Sequence, residues 1–421
     1  MMTTPVTSES NATSSSSPAW AAVFAMTLCV AALIASEFMP VSLLTPIAAD
    51  LHLTEGQAGQ AISVSGIFAV LTSLLVSAVT GRLDRRPVLL SFTLLMIVSG
   101  TIVAFAPNFL VLMTGRALLG VAIGGFWSMS TATVMRLVPE ALVPRGLAIL
   151  NGGNALATTV AAPLGSFLGA YVGWRGAFFC VVPVAALTLA WQLASVPAMP
   201  ARAQSGSLNV FRLLRRPQVS HGMLAIMLLF MGQFALFTYL RPFLETVTGV
   251  SVSTLSLLLL IMGVAGLVGT YLIGSVLNTG LYRALIAIPL GMAAIAIALT
   301  ALGGWPLGTA VLLGGWGLIG TPAPVGWGTW LARTLPEDAE AGGGLMVATI
   351  QLAITLGASA GGFLFDTSGY RSTFGLSAAL LCGSALLAFV AWRAGLRGSG
   401  RSRPVNDGMV VDATLATGDL T

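Results

Sequence analysis

The sequence predicts an all-α polytopic membrane protein, with twelve spanning helices in two pseudo-symmetric six-helix bundles. Three observations carry that expectation. Of 421 residues, 56% are hydrophobic and 8% are charged, against roughly 25% charged in soluble domains. The apolar residues gather into stretches long enough to cross a bilayer, which takes about 20 residues per helix. Motifs of the first half of the chain also return in the second half at a nearly constant offset. With 19 basic and 14 acidic residues, the chain cannot clothe a water-exposed surface. A soluble enzyme, a nucleic-acid-binding domain and a disordered protein are thereby excluded. The 49 glycines suit helices that pack closely within a membrane.

Taken in order, residues 1–18 are rich in Ser and Thr, and no basic region precedes the first apolar run. They are expected to form a disordered tail rather than a cleaved signal. Twelve candidate spans follow at 20–48, 57–80, 87–106, 108–135, 146–171, 175–196, 218–245, 253–277, 283–303, 306–332, 342–365 and 371–393. The hydrophilic stretch 197–217 divides them into an N-terminal bundle (19–196) and a C-terminal bundle (218–394), and 395–421 form a polar tail. Every basic residue is Arg. Placing both termini in the cytoplasm puts fifteen arginines on the inner side and three on the outer side (Arg175, Arg241 and Arg371), with Arg116 inside a span. That asymmetry sets the expected orientation. The three cysteines and two histidines form no disulfide framework or metal spacing. No cofactor or metal is expected.

The repeat is explicit. Residues 165–178 align with 361–374 at an offset of 196, and six of the 14 positions are identical: Gly165/Gly361, Phe167/Phe363, Leu168/Leu364, Gly173/Gly369, Arg175/Arg371 and Phe178/Phe374. The same offset sets Pro46 over Pro242 and Glu37 over Gln233. Pro40, Pro46, Pro163 and Pro242 can free backbone carbonyls inside their helices.

Few residues inside the spans carry chemistry. Glu37 is the one acid deep in a predicted span. An ionisable group there costs about 2.5–3.5 kcal/mol to insert and usually faces a cavity or partner, so Glu37 is either a proton carrier or substrate ligand, or a hydrogen-bonded structural carboxyl. Arg116 is the one deep base. It shares a helix face with Gly120 and Gly124 and needs a counter-charge, for which Glu37 is a candidate, or else carbonyls. Gln233 offers a neutral amide opposite Glu37. Trp127, Trp327 and Trp330, with Phe126 and Tyr239 as lesser candidates, could stack on a flat base, a contact worth about 1–3 kcal/mol; the alternative is lipid or interface anchoring. Ser130, Asn151, Asn154 and Gln351 are polar groups in apolar helices, fitting either a hydrogen-bonding solute or interhelical bonds. Asp366, Arg371 and Arg175 read as turn and interface charges. The spans lack the paired acids, metal cluster or nucleophile-base pair that a membrane enzyme would need, and no phosphate-binding loop points to a primary pump.

Several motifs resemble the major facilitator superfamily over nearly the whole chain. Arg116-Ala-Leu-Leu-Gly120-Val-Ala-Ile-Gly124-Gly125 is similar to its Arg-and-Gly motif of helix 4, associated with proton coupling. Gly153 followed by Ala162-Pro163-Leu164-Gly165 and Gly169 is similar to its antiporter motif of helix 5, with Ala162 where Gly is usual. Gly81-Arg82-Leu83-Asp84-Arg85-Arg86 looks like a shortened or shifted form of its gating loop between helices 2 and 3; the motif's Asp is either Asp84 or replaced by Gly81. Five further stretches (37–46, 124–130, 136–139, 233–242 and 324–330) resemble bacterial purine ribonucleoside efflux pumps of the drug:proton antiporter branch. The resemblance implies proton-driven export of nucleosides such as inosine and guanosine. Sugar or multidrug efflux by the same mechanism is the alternative. It further implies a bacterial inner-membrane location in the lipid bilayer, protons and a small solute as partners, no nucleic acid, and a monomer.

Overall fold

A computed structural model describes residues 19–80, 83–200, 210–336 and 338–399. The expected N-terminal tail, residues 400–421 of the expected C-terminal tail, Gly81, Arg82 and the centre of the 197–217 linker lie outside those residues, while 395–399 continue the last helix instead of starting the tail. Among the described residues the chain is helical, without strands. Eleven α-helices are defined: α1 (Trp20–Leu51), α2 (Glu55–Thr80), α3 (Arg85–Ala104), α4 (Phe109–Leu137), α5 (Val143–Ser195), α6 (Pro217–Phe237), α7 (Leu240–Thr246), α8 (Val252–Leu302), α9 (Pro306–Gly320), α10 (Ala323–Thr334) and α11 (Ala339–Ser399).

Eleven helices make twelve crossings because three are folded and two crossings are broken. α5, α8 and α11 have 53, 51 and 61 residues, far more than one crossing takes. Each bends back on itself at a glycine: Gly173, Gly280 and Gly369. Gly173 (φ 71°, ψ 168°) and Gly369 (φ 75°, ψ 179°) have nearly the same backbone geometry, and they are the pair related by the 196 offset. That left-handed region is open to glycine and costly for residues with a Cβ. The expected single helices over 218–245 and 306–332 are instead broken, at Thr238–Tyr239 between α6 and α7 and at Thr321–Pro322 between α9 and α10. Pro242 and Pro322 lack the amide that would continue the ladder there.

Side chains cap the helix starts where sequence supplies them. Asn108 accepts from the Val111 amide at 3.0 Å, and Ser251 from the Thr254 amide at 3.3 Å. Thr54 and Gln57 exchange bonds of 3.0 and 3.1 Å in a capping box at the start of α2.

Glycines also set the helix spacing. A methyl at Gly120 or Gly124 would overlap the carbonyls of Ser65 and Ala69, so α4 lies directly on α2. Gly165 lies against Met39 and Ser42 of α1, and Gly361 against Ala235 of α6. Met39 and Ala235 are again 196 apart, so the repeat extends from sequence to packing.

The two halves meet toward the ends of the crossings distal to the chain termini. Phe38 stacks on Phe234 with ring centroids 5.4 Å apart; these two residues are related by the same offset. The Thr355 hydroxyl on α11 lies 3.4 Å from the Ser63 carbonyl of α2, and the Thr159 hydroxyl on α5 lies 3.4 Å from the Gly263 carbonyl of α8. Thr159 and Thr355 are a further pair at 196.

Candidate functional site

The site is built around the middle of α1, where Pro40 and Pro46 interrupt the helix ladder. A proline at position i leaves the carbonyl at i−4 without its helical donor. Pro40 frees the Ser36 carbonyl, and Pro46 frees the Ser42 carbonyl. Each freed carbonyl is taken by an arginine. Arg116 reaches in from α4, donating to Ser36 O at 2.7 Å, Glu37 O at 3.0 Å, Ala61 O at 2.8 Å and Ser65 Oγ at 3.0 Å. Arg241 reaches in from α7, in the other half, and donates to Ser42 O. It is also paired with Glu245, one turn on, at 2.8 Å.

Arg116 is 0% exposed. Its counter-groups are three carbonyls and a hydroxyl rather than the Glu37 carboxylate, so of the two partners expected from sequence the carbonyls are the ones bonded. Close contact of α4 with α2 at Gly120 and Gly124 brings the guanidinium within reach of Ala61 and Ser65.

Glu37 is 4% exposed. It faces the seam between the halves rather than lipid, and in this state it is sealed rather than lining an open crevice. Gln351 Nε2, on α11, donates to Glu37 Oε1 at 3.3 Å. Gln233, the amide that the offset sets opposite Glu37, is half-buried, and its Oε1 is buried without a hydrogen bond. Beyond Gln351 a file of hydroxyls continues between α2 and α11. Thr355 Oγ1 donates to Gln351 O at 2.9 Å and Ser359 to Ser63 Oγ at 2.9 Å, with Gln60 Oε1 3.3 Å from the Ser359 hydroxyl.

Several expected solute ligands are packed away. Trp327 and Trp330 are buried in the C-terminal core, edge-to-face at 5.4 Å. Trp330 Nε1 donates to Tyr282 at 3.1 Å, and its ring covers Gly222. Tyr239 is buried between Gly59 and Gly362, donates to Ala358 O at 2.8 Å and stacks on Phe365 at 5.3 Å. Phe126 is buried, with the Trp127 ring edge-on at 6.4 Å. Ser130 is also buried and donates to Trp127 O in its own helix at 3.1 Å. Their rings fill helix interfaces and the Tyr239 and Ser130 hydroxyls are bonded, so none of these five presents a free face to a solute here, although Trp327 Nε1 is buried without a hydrogen bond. Asn151 is exposed and bonded to Leu147 O of its own helix at 2.9 Å. Trp127 and Asn154 are half-buried.

The loop between α2 and α3 also departs from the gating reading. Asp84 Oδ1 caps α3 through the Arg86 amide at 2.8 Å, and both carboxylate oxygens accept from the Met199 amide, at 3.0 and 3.1 Å. Arg86 donates to Leu193 O at 2.8 Å, and the Arg85 amide to Met199 O at 3.0 Å. The described part of this loop is thus tied to the end of α5 and the start of the linker that follows it. Pro163 is buried in α5; the carbonyl it frees, Thr159 O, lies against Gly263 of α8.

Sequence reasoning missed Arg241 and Asp366 by grouping them with loop charges. Asp366 accepts from Thr54 Oγ1 at 2.6 Å and from the Gly56 amide at 3.0 Å, across the seam. The signal for Arg241 was available: the carbonyl freed by Pro46 needs a donor at its own depth, and the repeat sets Pro46 over Pro242, next to Arg241.

Residues 26–339 match the family model of the Major Facilitator Superfamily. The chain is 58% identical over 396 residues to the transcription regulatory protein OpdE of Pseudomonas aeruginosa, covering 93% of this chain and 98% of that one. It is 43% identical over 373 residues to the purine ribonucleoside efflux pump NepI of Escherichia coli K12, covering 88% and 93%. A D-xylose-proton symporter superposes with a TM-score of 0.73 at 18% identity, over 90% of this chain and 98% of that one. A bacterial homologue of the lysosomal transporter Spinster, inward-facing and unoccupied, superposes with 0.69 at 15% identity, over 90% and 98%. With its family model, its relatives and its fold in agreement, the chain belongs to the major facilitator superfamily of membrane transporters.

Proposed function

We propose that the protein is a proton-driven exporter of small polar solutes, with purine ribonucleosides such as inosine and guanosine as the leading class. The observation that carries this reading is the placement of Glu37. One carboxyl is buried where the two halves meet, and its hydrogen-bond donor, Gln351, belongs to the opposite half. Separating the halves at the distal end would take Gln351 away and open Glu37 to that side. Separating them at the other end would open it to the side of the termini. A carboxyl whose exposure alternates in this way can take a proton on one side and release it on the other.

In this reading 19–196 and 218–394 are the moving bundles, joined by 197–217, and both termini are cytoplasmic in a bacterial inner membrane. A monomer suffices. Glu37 carries the proton and Arg116 fixes the backbone around it. Gln233, Trp127, Asn154 and Gln351 remain the candidates for contact with the solute. The orphaned Gln233 Oε1 supports a hydrogen-bonding solute over a hydrophobic drug, and the 43% identity to NepI supports nucleosides over sugars.

The relative named as a transcription regulatory protein does not compete with transport. An exporter that drains a small signal molecule changes transcription without contacting DNA.

The test is uptake of labelled inosine by everted vesicles with an imposed pH gradient. Gradient-dependent uptake is expected, with Glu37→Gln abolishing it. Gradient-dependent uptake that persists in Glu37→Gln refutes the role of Glu37; no inosine uptake alongside gradient-driven uptake of a sugar or a drug refutes the substrate class.

A further inference from the structure

We infer that Arg241 and Asp366 are gate residues that hold the distal face shut, and that they do so by gripping unpaired backbone groups of the opposite half. Both belong to the C-terminal half. Each meets a part of the N-terminal half that helix chemistry leaves unsatisfied. The Ser42 carbonyl, freed by Pro46, is an orphan acceptor inside α1, and Arg241 supplies a charged donor to it. The amides at the start of α2 are orphan donors at the positive end of the helix. Asp366 supplies a carboxylate there, taking the Gly56 amide and the Thr54 hydroxyl. Gly56 allows this approach, because a methyl at that position would overlap the Asp366 carboxylate and the Gly362 carbonyl.

The two contacts match in sign, a cation on a carbonyl and an anion on amides. Both lie at distal ends: Arg241 near the end of the crossing made by α6 and α7, and Asp366 three residues before the Gly369 turn. Neither bond can survive separation of the halves there. When the distal face opens, Ser42 O and the Gly56 amide must find water or solute instead. Arg241 is 6% exposed, so its bond to Ser42 O is made away from water, where a hydrogen bond from a charged donor is stronger than at the surface. Tyr239, wedged between Gly59 and Gly362, seals the space between the two grips. The inference goes beyond the solute reading and holds whichever solute is carried.

Spin-label distances across the distal face test it without solute or proton gradient, so it fails or stands independently of the nucleoside claim. Labels go on the full chain at His52→Cys and Ser368→Cys, both exposed, with the exposed Cys180 and Cys382 replaced by Ser. The parent should show a predominant short distance. Arg241→Gln and Asp366→Asn should each raise the separated population relative to the short one about tenfold, and the double variant more, since each replaces the charged partner of a hydrogen bond across the seam by a neutral amide. Arg175→Gln is the control. Its partners Asp50 and Ala106 belong to its own half, so the distribution should not move. Should Arg241→Gln not accumulate, Thr54→Ala with Asp366→Asn carries the test at the exposed rim. A folded Arg241→Gln/Asp366→Asn double variant, or the rim pair in its place, with the parent distance distribution would overturn the assignment.

Discussion

Replacing Arg116 by Met separates two accounts of how this buried cation is held. The guanidinium makes four hydrogen bonds of 2.7–3.0 Å, to Ser36, Glu37 and Ala61 carbonyls and to Ser65. Bonds from a charged donor are worth about 1.5–3 kcal/mol each, so the gross loss is about 6–12 kcal/mol. Relief of the guanidinium's desolvation returns several kcal/mol of that, and the net loss expected is about 3–5 kcal/mol. Glu37→Gln should cost no more than about 1 kcal/mol, because an amide oxygen can still accept from Gln351. If carbonyls hold Arg116, the two substitutions are nearly additive, with a coupling no larger than about 1.5 kcal/mol. A direct ion pair would couple them by about 3–5 kcal/mol. Unfolding free energies of the parent, both single variants and the double variant in mixed micelles measure the coupling. A value of 3 kcal/mol or more would put the guanidinium on the carboxylate and refute the proline-carbonyl account.

Three further outcomes are expected. Gly120→Ala and Gly124→Ala should sharply lower folded yield, because the new methyl meets backbone of α2, whereas Gly152→Ala, with open space around it, should leave the yield unchanged; equal yields by size-exclusion chromatography would refute the contact. Gly173→Ala and Gly369→Ala should lower thermal stability to a similar extent, about 1–3 kcal/mol each, since both adopt the same positive-φ turn; a loss confined to one turn would contradict their equivalence. Trp330→Phe should lower the melting temperature by breaking the bond to Tyr282 while leaving the relative uptake of different solutes unchanged. A change in solute preference without loss of stability would restore Trp330 to the binding site.

The fold was legible because its determinants are coarse. Span length and the position of glycines survive in a linear reading, and the 196 offset between Gly165 and Gly361, or Gly173 and Gly369, marks equivalent packing in the two halves. The site was only partly legible. Glu37 and Arg116 stand out in sequence because a charge in an apolar span is conspicuous. What each one touches is not, because the partners of Arg116 are carbonyls, and every residue has one. Polar and aromatic residue types misled for a related reason. Trp330, Tyr239 and Ser130 look like ligands by chemistry, yet rotation of a helix by one residue moves a side chain about 100°, from a cavity to a core. Gln351 was noticed, but its bond to Glu37 joins residues 314 positions apart, and nothing local in the sequence announces it.

The same reasoning bears on how unlike sequences share this fold. At 18% and 15% identity, few specific side-chain pairs can be common to the chains compared, yet the superposition covers 90% of this one. Contacts of the kind found here tolerate that divergence. Where a glycine meets a carbonyl, or a charge meets the backbone, only one partner is specified by a side chain. Such a contact needs a single residue type at one position, and the opposite helix can change its sequence freely. A pair such as Glu37 with Gln351 needs both. Divergence within the superfamily should therefore alter what is carried and what drives it before it alters how the helices pack.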